Sequence, residues 1–154
     1  GDIPLVECYP NMLNQVFLNI LMNAIQSIEK QASIENAGLS GAPSKNRGAD
    51  GCYCGEIIIT TAIFEDKLSV KIEDNGLGIK EEDKKKIFQA GFTPKKVGEG
   101  PGLGLAICKK IIEKHKGEIT FESKSYRVKG SSEGSSGSRD RVVKNTVFEI
   151  ILPL

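Results

Sequence analysis

The chain has one histidine, His115, and its four cysteines form no metal-binding pattern. Cys52-Tyr-Cys54 is a C-x-C pair without a second pair, whereas a zinc site wants four ligands at defined spacings. The cysteines are therefore expected to be inert reduced thiols, with Cys54 opening a strand. No glycine is followed by Lys and then Ser or Thr, which excludes a Walker A loop. No G-x-G-x-x-G occurs, which excludes the dinucleotide fingerprint. A net charge of +1 gives no bias toward nucleic acid or an acidic partner. Apolar runs fall short of the roughly 18–20 residues that span a bilayer, and the N-terminus lacks a basic-then-apolar leader layout. There is no internal repeat.

What remains is an ordinary globular composition, 39% apolar and 27% charged over 154 residues. It suits one domain, residues 1–154, with a real core, and that domain reads as a piece of a larger protein. Residues 3–8 are expected to form a short strand. Pro10 suits the first turn of a helix, where its missing N–H does no harm. Leu13, Val16, Phe17, Ile20, Leu21, Ala24, Ile25 and Ile28 keep a helical rhythm that should end near Ala32. Residues 36–51 are turn-rich and read as a flexible loop. Residues 56–64 and 68–73 look like a hairpin around Glu65-Asp66, and 80–87 like a short charged helix. Residues 102–116 form a second long helix with Gly117 as its C-cap. Residues 118–123 and 142–152 are further strands, separated by a Ser/Gly-rich flexible loop over about 129–141. This order predicts an α/β two-layer sandwich, a mixed sheet with helices on one face.

The densest signal lies between Asp74 and Gly104, which hold seven of the 17 glycines. Asp74-Asn75-Gly76-Leu77-Gly78 ends an alternating, strand-like run (Leu68, Val70, Ile72). Gly98-Glu-Gly100-Pro-Gly102-Leu-Gly104 leads directly into a helix. Glycines opening onto a helix N-terminus aim free N–H groups and a positive dipole end at an anion. Gly76 and Gly78 let backbone pass close to a ligand. Gln15, Asn19, Asn23 and Gln26 fall in one stripe on the first helix. Solvated faces usually carry Glu and Lys; amides in register suit polar ligand atoms and a hard ion such as Mg²⁺.

Four ordered blocks carry a resemblance. Gln15-Val-Phe-Leu-Asn19-Ile-Leu-Met-Asn23-Ala24 resembles an N box, and Asp74 to Ile79 a first glycine box. Residues 87–96 (IFQAGFTPKK) resemble an F box, and Gly98 to Gly104 with the following LAICK a second glycine box. Together they resemble the ATP-binding catalytic domain of sensor histidine kinases, in the GHKL superfamily. The likeness covers residues 3–124 and the closing Thr146 to Pro153. It implies the Bergerat fold, with ATP and Mg²⁺ as cofactors. It implies that Asp74 accepts a hydrogen bond from the adenine amino group, that Asn23 coordinates Mg²⁺, and that Asn19 sits near the phosphates. Gly76, Gly78, Ile79, Gly98, Gly100, Gly102, Leu103 and Gly104 are then nucleotide-contacting backbone. Lys95 or Lys96, within a lid over about 90–101, is a candidate γ-phosphate contact. Phe88 and Phe92 are expected to anchor that lid rather than stack on adenine, and His115 is expected to be structural.

The same likeness implies transfer of the γ-phosphoryl to a histidine on a separate dimerisation and phosphoacceptor domain, with a response regulator downstream. No histidine precedes the N box, so the chain lacks an acceptor and would be inactive alone. No nucleic-acid or membrane contact is expected, and the location is expected to be cytoplasmic, with the parent protein free to be membrane-anchored. ATPase relatives carry a glutamate where this chain has Asn19, which cannot act as a base. That argues against hydrolysis. Gln26 replaces a lysine common in the family, and Pro101 a small hydroxylated residue. The competing reading is a degenerate docking module, against which the intact glycine boxes weigh.

Overall fold

The computed structural model describes residues 5–36, 53–93, 102–128 and 141–154. All of the expected loop over 36–51 except Asn36, which closes a helix, most of the lid, Lys95, Lys96, Gly98, Gly100 and the Ser/Gly-rich stretch lie outside the described residues. Helix α1 runs Pro10–Asn36, with Pro10 at its first position. The carbonyl of Tyr9 accepts from Met12 N at 3.0 Å and Leu13 N at 3.1 Å, which closes the first turn. The helix continues one turn past the expected end at Ala32, and polar side chains in that turn bond along it. Ser33 Oγ donates to Glu29 O at 2.8 Å and Gln31 Nε2 to Glu35 Oε1 at 2.9 Å. Apolar periodicity alone does not register such contacts.

Among the described residues the sheet has four strands, β1 (Ile57–Phe64), β2 (Lys67–Asp74), β3 (Glu118–Val128) and β4 (Arg141–Pro153), in the order β1-β2-β4-β3. All three pairings are antiparallel, so over the described residues the sheet is not the mixed one expected. The expected strand at 3–8 is also not seen over its described residues. Val6 and Cys8 pack on the core while Leu5 is exposed, which gives strand-like alternation, but residues 5–9 form no strand. Cys54 likewise precedes β1 rather than opening it.

Two helices cover one face of the sheet: α1, and α3 (Gly104–Lys114), which follows the single turn α2 (Glu81–Lys84). Val16 and Ile20 of α1, Cys108 and Ile112 of α3, and Ile72 and Ile150 of the sheet are fully enclosed. Burying each such side chain contributes about 1.5–3 kcal/mol. Along the helix-facing side, Leu68, Val70 and Ile72 lie beside Leu152, Ile150 and Phe148. The next row is polar: Asp74 pairs with Thr146, and Thr146 with Ser123. One end of an apolar sheet thus carries a buried carboxylate and two hydroxyls, under the helices.

The end of α3 corrects the expected cap. Lys116, not Gly117, is left-handed, with φ 56°. Lys116 N donates to Glu113 O at 2.9 Å and Gly117 N to Ile112 O at 3.0 Å, the paired bonds of a Schellman motif. Gly117 is needed for space, since a Cβ there would meet the Ile151 carbonyl and lie 2.9 Å from Leu152 Cδ2.

Candidate nucleotide site

Asp74 is the last residue of β2 and is 4% exposed. Gly76 N donates to its Oδ1 at 3.0 Å, the tight Asx turn that an Asp-x-Gly sequence permits, and the Ser27 hydroxyl also donates to the carboxylate. Burial outweighs these donors and pushes the carboxyl up to about 6, with Glu73 adding in the same direction. A buried carboxylate held above its usual range gains when a ligand brings a further donor.

Gly76 is where the turn presses on α1. A Cβ there would lie 2.7 Å from the Ser27 carbonyl carbon and 2.8 Å from Ile28 N. Leu77 N donates to Ser27 Oγ at 3.0 Å and also points at Ser27 O, 3.3 Å away. Gly78 has φ 73°, with Ser123 and Lys144 close by. Ile79 N then donates to Ser123 Oγ at 2.9 Å, and that hydroxyl lies 3.3 Å from Thr146 Oγ1. Asn75 secures the other side, accepting from Glu56 N at 2.9 Å and donating to Cys54 O at 3.2 Å. The Tyr53 hydroxyl donates to Asn75 O. Burial, then Glu35 and Asp74, raise that phenol to about 12, so it stays a neutral donor.

At the other end of the site α3 begins without a side-chain cap on Leu103, which leaves its first N–H groups for a ligand. Asn19 faces this end from α1. Its Nδ2 donates to Gly104 O at 3.4 Å and to Cys108 Sγ at 3.6 Å. A carbonyl only accepts, so the amide orientation is fixed and Oδ1 is the atom turned away from these bonds. Burial raises the Cys108 thiol above its usual value, so it remains a neutral acceptor.

Asn19, Asn23 and Ser27 stand at i, i+4 and i+8, one face of α1. Asn19 meets the start of α3, Ser27 meets the Asp74 turn, and half-buried Asn23 lies between. The two ends are separated by roughly 12 Å along the helix. A nucleotide laid along α1 would put its base at Asp74 and its phosphates at Gly104.

The stems of the expected lid are joined. Gly91 N donates to Gly102 O at 3.2 Å, and Gly102, φ 69°, leaves no room for a Cβ, which would lie 2.6 Å from Phe92 O. Phe88 stacks edge-on against Phe121 at 5.9 Å, and Phe92 packs on the core. His115 ties α3 to the start of α1. Its Nε2 accepts from Tyr9 N at 3.0 Å, which requires the proton on Nδ1, 2.7 Å from Ile111 O.

The structure therefore brings together Asn19, Asn23, Asp74, Gly76, Gly78, Ile79, Gly102, Leu103 and Gly104. It also brings in Ser27, Ser123 and Thr146, to which sequence reasoning assigned no role. Ser27 continues the register of Asn19 and Asn23, and Thr146 is the polar member of the inward series Phe148, Ile150, Leu152; those two patterns were the available signals.

Residues 8–154 match the family of histidine kinase-, DNA gyrase B- and HSP90-like ATPases. Sporulation kinase E of Bacillus subtilis strain 168 is 35% identical over 154 residues, 99% of this chain and 15% of that protein. The signal transduction histidine-protein kinase AtoS of Escherichia coli K12 is 37% identical over 113 residues, 73% of this chain and 14% of its own length. The chain thus spans about a seventh of these relatives. Among solved structures, the nucleotide-free catalytic domain of histidine kinase ThkA aligns with a TM-score of 0.59 and 30% identity, covering 96% of this chain and 70% of that one.

Proposed function

The chain belongs to the family of histidine kinase-, DNA gyrase B- and HSP90-like ATPases, and on that footing we propose that it binds Mg-ATP and donates the γ-phosphoryl to a histidine on a separate dimerisation and phosphoacceptor domain. A response regulator would receive the group next. The observation that carries this reading is the two-ended site along α1. It has a buried acceptor, Asp74, for the base at one end and an uncapped helix start beside Asn19 for the phosphates at the other.

The residues present fit this ligand. Asp74 is a costly buried carboxylate that a base amino group would satisfy. Among the described residues no three His, Cys, Asp or Glu side chains gather to hold a metal. A Mg²⁺ ion would rest on the Asn23 amide oxygen and the nucleotide's own phosphates, and when bound it would neutralise charge on the group transferred. Gly102, Leu103 and Gly104 would present backbone N–H groups to the phosphates, with Gly98, Gly100 and Lys95 or Lys96 completing the lid. Phosphoryl transfer needs chiefly positioning and charge neutralisation, and these residues supply both on the donor side. Asn19 offers no base, and its amide hydrogens are engaged on α3, which favours transfer to a partner over hydrolysis.

The test is to mix the chain with the acceptor domain of its parent protein and γ-labelled ATP. Label is expected on the acceptor histidine, with free phosphate release by the chain alone near background. Rapid phosphate release without a partner would instead identify an ATPase.

A further inference from the structure

We propose that Ser27 is a positioning residue for base recognition: its hydroxyl, oriented by the Leu77 N–H, donates to Asp74 and holds that carboxylate ionised and turned toward the base. The inference rests on the adenine reading of Asp74 and deepens it. Leu77 N donates to Ser27 Oγ at 3.0 Å, so it occupies one lone pair and directs the hydroxyl hydrogen elsewhere. The Asp74 carboxylate receives that hydrogen. Gly76 N takes Oδ1 from the other side at 3.0 Å. Two donors on different elements, α1 and the turn, thus fix one side chain, and the packing of Gly76 against the Ser27 and Ile28 backbone prevents the turn from drifting away.

The surroundings make this donor matter. Among the described residues, the titratable groups at this end are Glu73, next to Asp74 on β2, Tyr53 and Cys54 ahead of β1, Glu35 of α1, which with Cys54 acts on Tyr53, and Lys144 of β4 beside Gly78. Register neighbours Ile57 and Thr146 carry no charge. Burial and the Glu73 charge favour the protonated acid, while the Gly76 N–H and the Ser27 hydroxyl favour the carboxylate. The Ser27 hydroxyl is the side chain in that balance.

The experiment follows the Asp74 carboxyl by carbon NMR against pH in the nucleotide-free chain, and titrates the same proteins with adenosine from pH 5 to 8. Adenosine carries no phosphate, so only the base end is read. Ser27→Ala is expected to raise the carboxyl midpoint by about half to one pH unit. It should weaken adenosine several-fold near pH 6.5 and approach wild-type affinity at pH 8. Ser27→Cys, which keeps the shape but only a weak donor, is expected to give an intermediate midpoint, and it serves if Ser27→Ala does not fold. An unchanged midpoint in both variants overturns the proposal while leaving the adenine assignment intact, as does an affinity loss equal at every pH. A shifted midpoint with unchanged adenosine binding also overturns it; if Asp74→Asn then binds adenosine normally, the adenine assignment falls with it.

Discussion

At the scale of single residues, Asp74 concentrates the chemistry. Its carboxyl rises from 3.8 to about 6, chiefly through burial. Between those values the folded chain holds a proton that the unfolded chain has released, so this group's contribution to stability falls as pH rises through the window. Above pH 6 the full cost, on the order of 3 kcal/mol, is present. Asp74→Asn should therefore be more stable than wild type at pH 7.5 by about 1–3 kcal/mol without nucleotide. That gain should vanish near pH 4, as read by urea denaturation at both pH values. A variant equally destabilised at both would contradict the sign. Asp74 was legible from its place at the end of an alternating run beside two glycines. Ser27 was not, because a serine one turn beyond Asn23 acquires meaning only when Leu77 and Asp74 come to it from 50 and 47 positions away.

At the scale of elements, the connections carry more of the design than the helices and strands. The end of α3 holds Lys116 in the left-handed region at φ 56° and then Gly117 against the Ile151 carbonyl. Lys116→Gly is expected to stabilise by about 0.5–1 kcal/mol, while Gly117→Ala destabilises although it removes a flexible glycine, because its Cβ would meet the Ile151 carbonyl; thermal denaturation of the two decides. The lid stem is a second such place. Gly102→Ala would force a Cβ toward Phe92 O in a backbone that already disfavours it. It should weaken ATP several-fold more than adenosine, by calorimetry with each ligand. Equal losses would mean that the stem does not serve the phosphate end. The two major helices and the β1–β2 hairpin were readable from period and turn residues. The strand expected at 3–8 failed because alternation reports which side chains touch a core, and Val6 and Cys8 do so without a ladder partner.

At the scale of the whole molecule, two helices over four antiparallel strands leave one polar row, Asp74–Thr146–Ser123, where the apolar sheet ends. The α1 stripe leads from that row to the start of α3. Hydrophobic periodicity and glycine clustering made the two ends of this site readable separately. Their alignment along one helix face was not readable, because it depends on strand register and on how α1 crosses β2. Among the described residues no helix is long and apolar enough to cross a membrane. The most direct test of a nucleotide site between α1, Asp74 and α3 is a calorimetric titration of the chain with ATP, with and without Mg²⁺, with Asp74→Asn and Asn23→Ala alongside. Binding with a dissociation constant between about 1 μM and 1 mM is expected. Asp74→Asn should weaken it by at least about tenfold, and Asn23→Ala should remove the gain from Mg²⁺. A folded wild-type chain that takes up no ATP, or one whose affinity survives Asp74→Asn unchanged, would contradict the site.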